Sequence, residues 1–148
     1  QIRSRLDFTS DEPVVGEQVI CLKNNYKNLS KPIYNGMIGK LMKLAPFEKH
    51  WYEAEILFHG EEVPYQGKIS KYQFHKEKYL DEVKGIHYGE IGDRFDFGYA
   101  LTVHKSQGSQ AERVLLFEEP SVYWEDELWN RWLYTAVTRA VKELYIIG

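Results

Sequence analysis

The residues best suited to chemistry form a polar, glycine-containing segment, residues 102–110, which directly follows an apolar run. Backbone amides freed at the end of a strand, or at the start of a short helix, bind anions well. Further donors in this segment are the side chains of Thr102, His104, Lys105 and Ser106. The composition fits a phosphate-binding turn, and it fits an ordinary polar loop equally well.

Arg139 is the second candidate, because it lies off the apolar stripe of a segment with helical periodicity. From Glu125 to Lys142 the stripe consists of Leu128, Trp129, Trp132, Leu133, Ala136, Val137, Ala140 and Val141. We expect the stripe, with both of its tryptophans, to face the core and Arg139 to point to a surface. An arginine in that position is usually a solvated charge. It can also stabilise the charge that develops in phosphoryl transfer, when another domain presents a nucleotide to it.

The elements that must position these residues are strands and one long helix. Apolar runs at 98–103 and 113–117 predict two buried strands, and the helix over 125–142 leads into a short last strand over 143–147. The order strand, helix, strand is typical of an α/β layer. Two or three strands and one helix make only part of a doubly wound sheet.

Before residue 98 the sequence is typical of short strands separated by turns. The segment Trp51–Phe58 alternates apolar and acidic residues, which predicts a half-buried strand. Asn35-Gly36 between apolar flanks predicts a tight hairpin turn, and the apolar run 19–22 predicts another strand. Together these signals predict a small, strongly curved β-barrel or sandwich.

The composition describes a globular chain without a strong electrostatic field. The 148 residues include 19 basic and 22 acidic ones, a net charge of −3, so the whole chain lacks the charge of a typical nucleic-acid binder. Residues 18–47 contain lysines and no acidic residue, so that part could still meet phosphate. A single cysteine, Cys21, and the absence of a long apolar run lead us to expect a cytoplasmic protein with no membrane partner. Cys21 and the histidines show no metal-ligand spacing, so we expect no metal site.

Lysines and aromatic residues alternate between residues 68 and 79: Lys68, Lys71, Lys76 and Lys78 with Tyr72, Phe74 and Tyr79. Such lysines can follow a nucleic-acid backbone while the rings stack on bases. An ordinary barrel strand shows the same alternation, and we favour that interpretation.

Two segments resemble motifs of a known family. Residues 100–109, ALTVHKSQGS, look like motif V, and residues 133–140, LYTAVTRA, look like motif VI, of superfamily 1 DNA helicases of the UvrD/RecD type. The sequences of these two motifs are most similar to those of the RecD/Dda-like branch, in which the form HKSQG is usual. Residues 16–39 resemble the segment by which that branch leads into an SH3-like barrel inserted in its second RecA-like domain.

The resemblance implies an α/β fold, a partial RecA-like (P-loop NTPase) second domain with an inserted small SH3-like β-barrel. Residues 1–15 would lead into the RecA-like layer, and residues 16–97 would form the SH3-like insertion. Residues 98–148 would form the RecA-like segment that carries motifs V and VI.

The resemblance also implies roles for single residues. Those that would contact the phosphate backbone of single-stranded DNA are Thr102 and His104, with Lys105 nearby. Those that would belong to the nucleotide cleft are Gln107, Gly108, Ser109, Gln110 and Arg139. Arg139 would approach the γ-phosphate of ATP from across the cleft. Many relatives carry a glutamate that binds the nucleotide ribose at the position of Gln110, which can still accept a hydrogen bond but has no charge.

The sequence lacks the parts that hold Mg²⁺ and ATP in this family. It contains no Gly-x-x-x-x-Gly-Lys-Ser/Thr loop and no Asp-Glu pair after a buried strand. We therefore expect a first RecA-like domain of the same polypeptide to hold ATP and Mg²⁺, and we expect this chain alone to be catalytically inert. The first residue, Gln1, also indicates a segment of a longer protein. The resemblance implies that the parent is a DNA helicase that moves 5′ to 3′.

Two other functions remain open. The chain could be a non-enzymatic module whose β-insertion binds a protein or a nucleic acid, with the helicase-like motifs as scaffold. More weakly, it could belong to a nuclease subunit, although the sequence shows no clustered acidic metal site.

Overall fold

The computed structural model describes residues 2–28, 31–74, 92–118 and 124–148, and the chain divides into two compact units, residues 1–100 and 101–148. The helices and strands of the first unit are α1 (Ile2–Arg5), β1 (Gln18–Cys21), β2 (Ile38–Phe47), β3 (Trp51–Phe58), β4 (Tyr65–Ser70) and β5 (Phe95–Phe97). Those of the second unit are β6 (Ala111–Phe117), α2 (Asp126–Val137) and β7 (Ala140–Ile147). No helix in these ranges is long and apolar enough to cross a membrane.

The first unit is built on one antiparallel sheet with the strand order β4-β3-β2-β1-β5. Val19 in β1 pairs with Gly39 on one side and with Phe97 on the other. The ladders do not close into a barrel. A single parallel bridge joins Ile69 in β4 to Asp93, just before β5, through two backbone hydrogen bonds of 2.8 Å. The two edges of the sheet therefore approach each other, which requires a strongly bent sheet.

The predicted strand at residues 51–58 is confirmed, and it supplies much of the core. Tyr52, Ala54, Ile56 and Phe58 are buried on one face of β3, while Glu53 is exposed on the other. Burial of such side chains stabilises the fold by about 1.5–3 kcal/mol for each large one. The alternation of side chains in a strand therefore places this face of β3 in the core of the first unit.

The turn at Asn35-Gly36 is confirmed, but its flanks do not pair as a hairpin. The amide of Met37 donates to the carbonyl of Tyr34 at 3.1 Å, and Gly36 has a φ of 90° that favours glycine. Ile33, however, bridges Asn25, whereas β2 begins at Ile38 and pairs with β1. The two flanks of the turn therefore pair with different segments: Ile33 with Asn25, and β2 with β1.

Residues 2–15 pack within the first unit through one buried ion pair. Glu17 is fully buried and accepts hydrogen bonds from Arg3 Nε at 2.5 Å, from Arg3 Nη2 at 3.0 Å and from the amide of Val14 at 2.9 Å. The Arg3 guanidinium also lies over the ring of Phe97, 3.9 Å from its centre. The ion pair therefore ties α1 to the residue before β1, and the contact with Phe97 ties it to the end of β5.

The second unit is a β-α-β unit, so the predicted α/β class is confirmed there. Strands β6 and β7 pair in parallel, and α2 makes the crossover that parallel strands require. The strand predicted over residues 113–117 is present, but only Leu116 in it is buried. On the opposite face of the ladder Leu115 is 54% exposed and Phe117 58%.

The predicted helix over 125–142 is too long. Helix α2 ends at Val137, and residues 140 and 141 of the apolar stripe belong to β7. The hydroxyl of Thr138 donates to the carbonyl of Tyr134 at 2.9 Å, within the last turn. Ala140 then pairs with Ala111 in the parallel ladder. Residues 140 and 141 therefore form a strand paired with β6, although the apolar periodicity of the sequence predicts that they continue the helix.

The strand predicted over residues 98–103 is absent. No described strand pairs with this run, and the chain is irregular there. Its first residues instead complete the sheet of the first unit. The amide of Gly98 donates to the carbonyl of Gln18 at 2.9 Å, and the Gln18 amide donates to the hydroxyl of Tyr99 at 3.1 Å.

Candidate functional site

The polar segment folds as a tight turn over residues 102–109. The amide of Ser106 donates to the Thr102 carbonyl at 3.1 Å, the amide of Gln107 to the His104 carbonyl at 3.4 Å, and the amide of Ser109 to the Ser106 carbonyl at 3.0 Å. These three amides are used inside the turn, so they do not form the backbone anion cradle that the sequence suggested. Any anion bound here must rely more on side chains.

The turn presents most of its predicted contact residues to solvent. Thr102, His104, Gln107, Gly108 and Gln110 are exposed, whereas Lys105 and Ser109 are half-buried. Gly108 has a φ of 88°, a backbone conformation that residues with a side chain rarely adopt. A glycine at that position therefore allows the turn to close without strain.

Arg139 connects the end of α2 to this turn. Its Nε donates to the Thr135 carbonyl at 2.9 Å, its Nη1 to the Ser109 carbonyl at 3.0 Å, and its Nη2 to the Thr138 hydroxyl at 3.0 Å. The side chain is half-buried, not a freely solvated charge. Motifs V and VI are therefore joined directly, through the predicted arginine and the carbonyl of Ser109.

The charge of Arg139 is not neutralised by these contacts. All three acceptors are neutral, and no carboxylate in the described ranges forms an ion pair with the guanidinium. A guanidinium has five N–H donors, and the contacts found in the described part use three of them. The remaining donors and the whole positive charge suit an approaching anion.

A neighbouring contact holds Gln110 at the same junction. Its side-chain amide donates to the carbonyl of Thr138 at 3.4 Å, and the amide of Ala111 donates to the carbonyl of Arg139 at 3.0 Å. Of the predicted cleft residues, Ser109 and Gln110 are therefore brought to residues 138 and 139, at the junction between the turn and β7. Lys105, by contrast, makes only a backbone contact within the turn, to the Thr102 hydroxyl at 3.4 Å.

An aromatic cluster lies at the start of α2, and the sequence analysis assigned two of its members, Trp129 and Trp132, to the core. The rings of Trp129 and Trp132 stack with centres 5.0 Å apart, and Trp124 lies 6.0 and 5.8 Å from them. All three are half-buried, so the expected core position of Trp129 and Trp132 is wrong. Trp124, Leu128 and Trp132 are four residues apart in the sequence, and this spacing is the signal that could have revealed the surface, although Trp124 precedes the N-cap of α2.

In the first unit a larger pocket, about 880 Å³, lies on strands β2, β3 and β4. Its charged lining residues are Lys27, Lys43, Lys68, Glu53 and Glu55. Lys43 forms an ion pair of 2.6 Å with Glu55, and the Lys68 ammonium lies 4.4 Å from the ring centre of Phe47. The contact of Lys68 with Phe47 lies within the first unit, as expected for an ordinary strand.

The predicted alternation of lysines and aromatic residues over 68–79 is described only in part, because Lys76, Lys78 and Tyr79 lie outside the described residues.

A buried polar network in the same unit surrounds Asp93. Its carboxylate accepts hydrogen bonds from the side chains of Asn25 at 2.7 Å, Asn28 at 3.3 Å and Tyr65 at 2.7 Å. Burial raises the pKa of Tyr65, and the negative charge of Asp93 raises it further. Burial also raises the pKa of the Cys21 thiol, to about 12. The bond from Tyr65 to Asp93 links the start of β4 to the segment before β5, and the side chains of Tyr65 and Cys21 are buried.

The residues present fit the phosphate end of a nucleotide only through Arg139 and the adjacent turn. Among residues 2–28, 31–74, 92–118 and 124–148, no group of three His, Cys, Asp or Glu side chains is placed to hold a metal ion.

Comparison with known proteins agrees with the position of these motifs. Residues 97–147 match the family model of the UvrD-like helicase C-terminal domain. The RecBCD enzyme subunit RecD of Mycobacterium tuberculosis, in strains CDC 1551 and H37Rv, is 44% identical over 62 residues, which cover 40% of this chain and 10% of that protein. An uncharacterized protein of Methanocaldococcus jannaschii is 30% identical over 146 residues, which cover 90% of this chain and 10% of that protein. The chain thus spans about a tenth of the length of these relatives. The match includes the unit in which Arg139 joins motif VI to the motif V turn. Residues 97–147 therefore belong to the UvrD-like helicase C-terminal domain family, and the similarity to RecD supports the UvrD/RecD type for this part of the chain.

Proposed function

We propose that the chain is the C-terminal part of an ATP-dependent DNA helicase of the RecD/Dda-like branch, moving 5′ to 3′ on single-stranded DNA. A first RecA-like domain of the same polypeptide holds ATP and Mg²⁺, and the present chain completes that site. The single observation that carries the proposal is the direct link from Arg139 to the motif V turn through the Ser109 carbonyl, 3.0 Å away.

In this proposal Arg139 is the arginine finger. A guanidinium offsets the negative charge that develops on the transferring phosphoryl group, and in other systems it accelerates transfer by about 10³- to 10⁵-fold. The half-buried position, the neutral acceptors and the unused N–H donors support this role. The side chain is already oriented by three bonds, so little conformational freedom remains to be lost when a phosphate arrives.

Thr102, His104 and Lys105 bind the phosphate backbone of the strand. The exposure of Thr102 and His104 supports this assignment, because both side chains are accessible on the turn. Gln107, Gly108, Ser109 and Gln110 connect these residues to Arg139. A shift of the guanidinium towards a nucleotide would therefore act on the same turn that holds the strand.

The domain boundaries form part of the proposal. Residues 16–97 are an SH3-like insertion, and residues 98–148 are the RecA-like segment. The strongly bent five-stranded sheet and the bridge between Ile69 and Asp93 support the insertion. Residues 1–15 lead in from the RecA-like layer, and the pairing of Arg3 with Glu17 anchors them beside the insertion.

The test replaces Arg139 in the full-length parent. We expect Arg139→Ala and Arg139→Lys to abolish most of the DNA-stimulated ATP hydrolysis while the affinity for single-stranded DNA is largely retained. Lys142→Ala is the matched control, because Lys142 is a nearby cation whose side chain is 62% exposed and paired only with Glu112 among the described residues. Unchanged hydrolysis in both Arg139 variants would reject the arginine finger.

The isolated chain provides a second test. It contains no phosphate-binding glycine loop, so the purified 148-residue protein should show no ATP turnover with or without DNA. Turnover that co-purifies with the chain and is lost in Arg139→Ala would contradict the proposed division of the site.

The pocket of about 880 Å³ on β2, β3 and β4 favours one alternative, a binding module without catalytic function. In that case the parent would hydrolyse ATP equally well with or without Arg139. Substitutions in the pocket, such as Leu44→Asp, would then remove binding of a partner and leave hydrolysis intact.

A further inference from the structure

The aromatic face of α2 and the motif V turn enclose a pocket of about 310 Å³ within the second unit. The helix side of the pocket is lined by Trp124, Leu128, Arg131, Trp132 and Thr135. The turn side is lined by Val103, His104 and Gln107. None of the proposed roles of motifs V and VI uses the helix side of this pocket.

The lining combines flat aromatic faces with neutral polar groups. Trp124 and Trp132 lie with their ring centres 5.8 Å apart and tilted by 54°, so they form two walls that are not stacked on each other. Gln107 and Thr135 supply amide and hydroxyl groups that can pair with the edge of a planar ligand. Rings for stacking and neutral polar groups at the rim are the features that recognise a nucleobase.

We propose that this pocket holds one base of the single strand, stacked against Trp124 and Trp132. The inference rests on the proposed function, because His104 lines the pocket and also belongs to the turn that would bind the phosphate backbone. A nucleotide whose phosphate contacts His104 has its base within reach of the tryptophans. The pocket therefore adds a base contact to a site that was assigned only backbone contacts.

Two observations favour a stacked base over a bound anion. Arg131 is the positive group on the helix side, and it forms an i,i+4 ion pair of 2.7 Å with Glu127, both side chains being about three-quarters exposed. Its charge is thus partly balanced and well solvated. The ring of Trp132 is braced by Trp129, which stacks on it at 15° between planes and does not line the pocket. A braced ring offers a rigid surface for a second flat group.

Stacking predicts a contribution to affinity that any base can make and that an abasic strand lacks, because every base has an aromatic face. An abasic strand of equal length keeps the phosphates and the deoxyribose and lacks the bases. The comparison of oligo(dT) with this abasic strand therefore separates the base contact from the backbone contact.

The tryptophans themselves report the contact. In a Trp51→Phe background of the full 148-residue chain, the fluorescent tryptophans are Trp124, Trp129 and Trp132. We expect oligo(dT) of 15 nucleotides to quench this fluorescence at low salt, and the abasic strand to bind with little quenching. This measurement leaves the pocket unaltered, so it does not depend on the folding of a pocket variant.

Substitution of the pocket provides the affinity test. Trp124→Leu should weaken oligo(dT) binding about tenfold and leave binding of the abasic strand unchanged. Tyr134→Leu is the matched control, since Tyr134 is an aromatic residue of α2 that is 71% exposed and does not line the pocket. This variant should bind both strands as the parent chain does.

The outcomes separate the two proposals. Equal affinity for oligo(dT) and the abasic strand, with no quenching specific to oligo(dT), would overturn the base pocket and leave the backbone contacts standing. Failure of the chain to bind either strand would overturn both proposals. Weakened oligo(dT) binding in Tyr134→Leu to the same degree as in Trp124→Leu would overturn the pocket as the place of stacking.

Discussion

Replacement of Arg139 should destabilise the second unit as well as impair any catalytic role. The side chain donates three hydrogen bonds of 2.9–3.0 Å, to Thr135, Ser109 and Thr138. A hydrogen bond of a half-buried group contributes about 0.5–1.5 kcal/mol of net stability, and more when the donor is charged. Arg139→Ala should therefore lower the free energy of unfolding of this unit by about 2–4 kcal/mol.

Arg139→Lys distinguishes the shape of the side chain from its charge. The ammonium of lysine keeps the charge but cannot reproduce the planar fork that reaches the carbonyls of Ser109 and Thr135. We expect a loss of about 1–2 kcal/mol for this variant, between those of the unsubstituted chain and Arg139→Ala. The alanine variant should also expose the amide of Ala111, which donates to the Arg139 carbonyl, to faster hydrogen exchange.

The assay is urea unfolding of the 148-residue chain in a Trp51→Phe background, where tryptophan fluorescence reports the second unit alone. The urea midpoint should shift while the slope stays constant. A change below about 0.5 kcal/mol in Arg139→Ala would show that the three contacts do not hold the turn, and it would refute the structural link between motifs V and VI. A full structural effect with normal ATP hydrolysis in the parent would keep the link and reject the finger.

Three further predictions concern the first unit. Arg3→Met leaves the fully buried carboxylate of Glu17 without its cation, so thermal and urea unfolding should show a loss of about 3–5 kcal/mol. The double variant with Glu17→Leu should recover much of that loss, and additive losses would contradict the ion pair. Tyr65→Phe removes a 2.7 Å bond to Asp93 and should cost about 1.5–3 kcal/mol in the same assay, whereas an unchanged midpoint would contradict it. The pKa of Cys21 rises from 9.0 to about 12 on folding, so the folded chain binds the proton more tightly between those pH values and stability should fall as pH rises above about 9. The slope in Cys21→Ala should be smaller by up to about 1.4 kcal/mol per pH unit, as urea unfolding at pH 8–11 would show; the raised pKa of Tyr65 lowers stability with pH in both chains.

Local patterns predicted the elements whose neighbours are close in sequence. The alternation over residues 51–58 places one face of β3 in the core, and this follows from side-chain geometry alone. The turn at Asn35-Gly36 likewise follows from the preference of glycine for positive φ. The motif V turn and Arg139 were recognised for the same reason, since their residue types are concentrated in short segments.

Pairings between residues far apart in the sequence determined the parts of the structure that these local patterns did not predict. Residues 140 and 141 continue a helical stripe, yet they join β6 because a parallel partner, starting at Ala111, lies 29 positions earlier in the chain. The carboxylate of Asp93 accepts hydrogen bonds from Asn25, 68 positions earlier, and no local pattern marks that pairing. The internal use of the Ser106 and Ser109 amides also depends on the three-dimensional course of the turn.

The geometry of Arg139 constrains how the two motifs can act. Its guanidinium forms a fork, and one arm already holds the carbonyl of Ser109. If a phosphate binds the remaining N–H donors, the side chain can keep this bond, and nucleotide binding then rigidifies the turn that carries His104. If the phosphate draws the guanidinium away, the bond to Ser109 breaks and the turn is released. In either case the free energy of nucleotide binding would differ between the two states of the turn. If the proposed strand also binds these two states with different affinity, linkage requires the strand to alter nucleotide affinity by the same factor by which the nucleotide alters strand affinity. Under the proposed function, the bond from Arg139 to the Ser109 carbonyl is thus the contact through which a nucleotide and a strand would be coupled.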